Sequence, residues 1–215
     1  MTEQEAREQV IDVRRRMYRQ GYIAAADGNV SCRLGRDRIL VTPSGLPKGA
    51  LAPMDLVTVD LAGHRVGGRN RASSELRLHL AVYAGRADVR AGVHAHPPCA
   101  VALTLAGVSL TECVLPEVAL ALGPVPTAPY ATPSTDEVPA SIAPLLPGVR
   151  ALVLARHGSL TVGATLEEAY QRLEALEHAA RILHAAHLLG PLRPLAPEDE
   201  RKLQAVAARA AGYPS

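Results

Sequence analysis

The stretch Val93-His94-Ala95-His96-Pro97-Pro98 closes a short apolar run that begins at Arg90, with two histidines one residue apart and then two prolines. A run of this length reads as a β-strand, and the prolines stop it because proline has no N–H to give to a sheet. Side chains alternate between the two faces of a strand, so His94 and His96 share a face, and imidazoles in that i, i+2 relation can reach one metal ion. The same pair would serve equally as two hydrogen-bonding side chains in a polar layer. What else the chain brings near them decides between the two.

Outward from this strand, short strands alternate with helices. Upstream, residues 4 to about 20 place Val10, Val13 and Met17 at helical spacing and stop at Gly21. Arg38 to Thr42 and Leu56 to Asp60 read as strands joined by the loop TPSGLPKGALAPMD, and Ser73 to Arg86 as a helix entered from the turn at 67–72. Downstream, residues 98–106 read as a short helix, Pro124 to Pro129 as an extended segment, and Thr135 to Leu146 as a helix interrupted or entered through Pro139. Leu152 to Leu154 and Leu160 to Val162 flank Arg156-His157-Gly158, the pattern of a hairpin. Thr165-Leu166-Glu167-Glu168 fits a capping box that opens a helix running to about Leu189, Gly190-Pro191 ends it, and a last helix spans 197 to about 211. This order predicts a mixed α/β fold of packed layers, one domain over 1–215.

Of the 215 residues 48% are hydrophobic, enough for a full core, and the formal charge of +2 is spread without long basic runs. Neither nucleic acid nor an anionic membrane is expected as a partner. No apolar run reaches the ~20 residues of a membrane span, and the first residues, MTEQEAREQV, are polar and helical rather than a signal peptide, so a soluble, cytoplasmic protein is expected. Cys32, Cys99 and Cys113 are too few and too far apart for a disulfide framework or a thiolate zinc site and read as packing residues.

Two further residues bear on the histidine pair. His157 stands at the hairpin tip, where Gly158 permits close backbone approach, and Glu75 follows Ser73-Ser74 at a helix start that favours an anion. A turn histidine and a cap charge are each ordinary, but together with His94 and His96 they make three imidazoles and a carboxylate, a set that suits zinc. His79 is expected on the surface, His178, His184 and His187 in solvent or subunit packing, and His64 at a loop tip. Residues 26–31, Thr42 to Gly45 and Ser73-Ser74 offer hydroxyls, small side chains and open backbone N–H groups, which suit a phosphate as well as a plain turn. Beside a metal set they suggest a small phosphorylated substrate. Only Lys48 and Lys202 could form an imine.

The motifs GNVSCR (28–33), TPSGLP (42–47), SSELRLHLAVY (73–83), VHAHPP (93–98), APYATPST (128–135) and ARHGSLTVG (155–163) run in order over nearly the whole chain, and through them the sequence resembles the class II aldolase and adducin-head family. The resemblance implies a three-layer α/β/α sandwich with a largely antiparallel central sheet, and a four-fold homotetramer with active sites between neighbouring subunits. It implies zinc held by His94, His96 and His157, with Glu75 as ligand and acid/base, and a substrate phosphate held by Asn29, Ser44, Gly45, Ser73 and Ser74. The implied activity is cleavage of a ketose 1-phosphate to dihydroxyacetone phosphate and a short aldehyde. Sugar-phosphate epimerases, dehydratases and decarboxylases are the related reactions, and an adducin-like binding module is the non-enzymatic alternative. The chain departs from the aldolase pattern at Ala26, where a threonine is expected, and between Cys113 and Leu122 (CVLPEVALAL), which lacks the tyrosine contributed by a neighbour. Glu117 stands in that segment, and Glu117, Tyr130 and Tyr213 are the candidates for a second acid/base.

Overall fold

The computed structural model describes residues 2–47, 50–110 and 115–211. Helix α1 (Glu3–Arg19) starts on a capping box in which Thr2 and Glu5 satisfy each other's backbone N–H, and it ends with Arg16 and Arg19 in its last turn, where cations complement the helix dipole. Strands β1 (Asn29–Leu34), β2 (Arg38–Val41), β3 (Val57–Asp60) and β4 (Arg65–Gly67) follow, then helix α2 (Leu76–Gly85) and strand β5 (Ala91–Ala95). After these come α3 (Pro98–Leu105), α4 (Pro116–Ala121), β6 (Thr127–Ala128), α5 (Glu137–Ile142), the hairpin β7 (Ala151–Leu154) and β8 (Gly158–Gly163), and the helices α6 (Leu166–Leu189) and α7 (Pro197–Ala211).

The eight strands among the described residues form one sheet in the order β4-β3-β2-β1-β5-β8-β7-β6. Every neighbouring pair is antiparallel except β6 and β7. Helices α1 and α6 cover one face, where Val10, Met17, Tyr170 and Leu173 pack on Val30, Cys32, Leu34, Ala91, Val93 and Ala95. Helices α2 and α5 cover the other, with Leu78, Val82, Val138 and Ile142 against Ile39, Val41, Leu152, Leu160 and Val162. The protein is thus a three-layer α/β/α sandwich around a mostly antiparallel sheet. Among the described residues no helix is long and apolar enough to cross a membrane.

Three details differ from the sequence reading. Asn29-Val30-Ser31, expected in a loop, opens the strand β1, which lies in mid-sheet and pairs Asn29 with His94 and Val30 with Val93. Val30, Cys32 and Leu34 supply its apolar face, a period of two that the surrounding Gly, Asn and Ser obscure. Helix α2 begins at Leu76 rather than Ser73, leaving Glu75 as its N-cap with no cap hydrogen bond from its side chain. His79, expected on the surface, is buried in α2 at 1% exposure.

Candidate metal centre

Four side chains from three places in the chain converge at one end of the central strands. His94 lies on β5 and His96 just beyond its end, held there by the bond from its own N–H to the Tyr22 carbonyl. His157 sits in the β7–β8 turn next to Gly158, where a Cβ would stand 2.4 Å from the Ala95 carbonyl oxygen and 2.8 Å from the His96 ring, so no other residue fits without moving the histidines. Glu75 reaches in from the start of α2. Its Oε2 is 3.0 Å from His94 Nε2 and its Oε1 is 3.0 Å from His157 Nε2. One donor atom from each of the four lies within 4.8 Å of all the others. The three rings stand 4.9–5.1 Å apart, each edge-on to the next.

Protonation follows from the surroundings. His94 Nδ1 faces the Ser159 carbonyl at 2.9 Å and must donate to it, which turns Nε2 into the cluster. His94 Nε2 lies 3.1 Å from His96 Nε2. Burial, followed by the neighbouring His94 and His157, pushes the His96 pKa down to about 4, so its ring is neutral at neutral pH. For Glu75 burial works to raise the pKa, but His94 and His157 outweigh it and hold the carboxyl well below the usual range. Glu75 Oε1 is buried without a hydrogen bond despite its approach to His157. Three imidazoles facing one another, one ionised carboxylate and an orphaned buried oxygen fit a divalent cation in their midst.

Glu75, His96 and His157 line a cleft of about 270 Å³ together with Ala26, Asp27, Gly28, Asn29, Ser44, Gly45, Ser73, Ser74, Pro133 and Ser134, and His94 lies buried behind them. All five residues assigned to a phosphate therefore border the cluster. Ser44 spends its backbone N–H on the Arg71 carbonyl, so what it offers the cleft is its hydroxyl. Asn29 has both ends of its amide engaged, donating to Glu75 Oε2 at 3.1 Å and accepting from His79 Nε2. Asp27 is a carboxylate the sequence reading passed over; its Oδ2 lies 3.8 Å from His96 Nδ1, and the turn composition around it hid its role as cleft wall. Glu117 is exposed in the first turn of α4 and Tyr130 is 61% exposed; neither lines the cleft of the single chain, and Tyr213 lies outside the described residues. A larger hollow of about 790 Å³ opens at the opposite end of the strands, around Cys32 to Gly35, Arg90 and Thr165, and holds none of the converging donors.

Two supports behind the cluster escape a motif reading. Glu177 on α6, wholly buried, accepts the backbone N–H groups of Cys99 and Ala100, pinning the start of α3 directly after His96-Pro97. Glu75, His79 and Tyr83 stand four apart along α2 and face Asn29 and Ser31 of β1, a spacing visible in the sequence only once β1 is known to lie beneath the helix.

The family described as Class II Aldolase and Adducin N-terminal domain matches residues 8–184. A 3-oxo-tetronate 4-phosphate decarboxylase of Cupriavidus necator is 34% identical over 185 residues, 84% of each chain. An L-fuculose phosphate aldolase of Methanococcus vannielii is 33% identical over 169 residues, 78% of this chain and 90% of its own. The crystal structure of YgbL from Klebsiella pneumoniae superposes with a TM-score of 0.87 at 32% identity, covering 94% of this chain and 99% of that one.

Proposed function

Because the chain belongs to the class II aldolase and adducin family, we propose that it is a metal-dependent carbon–carbon lyase of one domain whose reaction is loss of carbon dioxide from a 3-oxo-tetronate 4-phosphate. The observation that carries this reading is the continuity of the donor cluster Glu75, His94, His96 and His157 with the hydroxyl-lined wall of Ser44, Ser73 and Ser74 in one small cleft. A four-carbon keto acid with a terminal phosphate matches both ends of it.

The hydroxyls of Ser44, Ser73 and Ser74 and the backbone of Gly45 would take the phosphate and so set the C3 ketone and C2 hydroxyl against the cluster. His94, His96, His157 and Glu75 would hold the cation, zinc by the chemistry of the donors. When bound, it supplies Lewis acidity that stabilises an enediolate. The C1–C2 bond breaks, carbon dioxide leaves as a neutral molecule, and the electron pair stays on the C2–C3 fragment. C2 then takes one proton, drawn finally from water; Glu75, the carboxylate within the cluster, would deliver it. The product is dihydroxyacetone phosphate.

Aldol cleavage of a ketose 1-phosphate reaches the same enediolate but must also remove a proton from the departing aldehyde's hydroxyl. No tyrosine occurs between Cys113 and Leu122, and Glu117 and Tyr130 stay outside the cleft of a single chain, which favours a departing group that needs no such help. The second reading, aldol cleavage, is favoured by the exposure of those same two residues, which leaves them free to serve a neighbouring subunit of a homotetramer. Incubating zinc-loaded protein with 3-oxo-tetronate 4-phosphates and with ketose 1-phosphates separates the two. Dihydroxyacetone phosphate and carbon dioxide from the acids are expected. Dihydroxyacetone phosphate and aldehyde from the ketoses alone would replace the first reading by the second, and no turnover of either would sink both.

A further inference from the structure

Behind the cluster a file of polar side chains runs from Glu75 along the seam between helix and sheet, and beyond Glu75 no step of the reaction uses it. From Glu75 at the N-cap of α2, His79 and Tyr83 follow at intervals of four residues; on β1, Asn29, Ser31 and Arg33 recur every two. Four helical residues rise about 6 Å and two strand residues about 6.7 Å, so the two series stay in step along the helix–sheet seam. The contacts follow that match. Asn29 bonds Glu75 and His79, Ser31 bonds His79 at 2.7 Å and Tyr83 at 2.8 Å, and the Arg33 guanidinium donates to the Tyr83 carbonyl while lying 4.8 Å from its ring.

Each bond in this file dictates the next. Asn29 gives an N–H to Glu75, so its carbonyl oxygen faces His79 and must accept. A buried, neutral His79 has one ring proton, which this oxygen claims at Nε2, leaving Nδ1 to accept from the Ser31 hydroxyl. Ser31 oxygen is then free to accept the Tyr83 hydroxyl proton. Turned the other way, the Asn29 amide would set its oxygen against the Glu75 carboxylate and its NH2 against the His79 N–H. Space is reserved for this arrangement, since a Cβ on Gly92 of β5 would stand 3.0 Å from His79 Nδ1 and 3.6 Å from the Ser31 oxygen.

We propose that His79 is a positioning residue: with Ser31 and Tyr83 behind it, it locks the Asn29 amide in the orientation that donates to Glu75, and so sets the Glu75 carboxylate for the metal. The inference rests on the metal reading above but not on which bond is cleaved. A hydrogen-bond partner behind a metal ligand commonly changes metal affinity by about 10–100-fold, and His79→Leu should weaken zinc binding within that range, read by competition with a chromophoric chelator. His79→Gln, whose side-chain NH2 can take the place of Nε2–H, should recover most of the loss. Far-UV circular dichroism and thermal melts report the fold independently. Wild-type affinity in a folded His79→Leu protein, or equal losses in the Leu and Gln variants, would overturn the proposal. Should His79→Leu fail to fold, Ser31→Ala and Gly92→Ala decide it, because one removes and the other crowds the group that fixes the ring proton; unchanged zinc affinity in both would overturn it. A wild-type protein that takes up no zinc overturns the metal reading with it, whereas normal wild-type binding and insensitive variants overturn this inference alone.

Discussion

The two faces of β1 and β5 are built from alternate residues of the same strands, yet they have nothing chemical in common. Toward α1 and α6 they present Val30, Cys32, Leu34, Ala91, Val93 and Ala95, a dry core in which the Cys32 thiol is pushed up to about 12 by burial and stays protonated. Toward α2 they present Asn29, Ser31, Arg33, Gly92 and His94; the first three bond Glu75, His79 and Tyr83, and His94 donates to the Ser159 carbonyl. The apolar face is what makes the polar face possible. A slip of one residue would turn Val30 and Val93 into the site and Ser31 and His94 into the core, so burial on one side holds the register of the donors on the other.

Changes on the polar face should therefore remove function and spare the fold, with the largest effects at the donors. His94→Ala is expected to weaken zinc binding by more than the ~100-fold that outlying partners produce, and to abolish turnover. Glu75→Gln, assayed at saturating zinc, should lower kcat by ~100-fold or more, the scale of a lost general acid or base. Steady-state kinetics beside chelator competition check both, and a fully active Glu75→Gln protein would move the proton step elsewhere.

On the apolar face the outcome should reverse. Leu173→Ala in α6, fully buried against these strands, should cost about 2–5 kcal/mol in urea melts and leave zinc affinity untouched. Arg14 breaks the pattern there. At 1% exposure, with no hydrogen-bond partner for any of its three guanidinium nitrogens among the described residues, it is a polar intruder on the buried side of α1. Arg14→Met should raise stability, by as much as the ~1–4 kcal/mol seen when buried charges give way to apolar residues. A destabilised variant would mean that the guanidinium has a partner in the assembled protein.

Acid should separate the faces more gently. In metal-free protein His79 and His96 are held by burial at about 3 and about 4, below their ordinary 6.5. As pH falls below 6.5 the unfolded chain binds protons that the folded one refuses, so stability declines at up to ~1.4 kcal/mol per pH unit for each histidine. Below 4.5 Glu75 adds to the loss, since its folded-state carboxyl is held lower than in the unfolded chain. His79→Leu should make the first decline shallower by one proton, and an unchanged slope would mean that His79 is charged in the folded state. The smallest effect is expected at Glu117, exposed on α4: Glu117→Gln should leave decarboxylation nearly unchanged, whereas a ~100-fold fall in kcat would point to the aldol reading and a shared site.

Alternation and turn chemistry, both local, were enough to read the strand that stops just before His96, the hairpin carrying His157 and the long capped helix after Thr165, because short-range sterics and missing hydrogen-bond donors decide such features. They were also enough to name Glu75, His94, His96 and His157 as candidates, each from its own neighbourhood. That these four come within 4.8 Å of one another is a matter of strand order, which places β5 between β1 and β8. The character of Asn29 and His79 was likewise out of local reach. GNVSCR reads as a turn by composition and becomes a central strand only because α1, α6 and β5 bury Val30 and Cys32. Whether a histidine on a helix is solvated or sealed depends on what lies across from it, and for His79 that is a serine 48 positions away. Glu177 waits for backbone N–H groups 77 and 78 positions distant. Sequence alone determines what each segment can donate, accept or bury; packing between segments far apart in the chain decides which of those capacities meet.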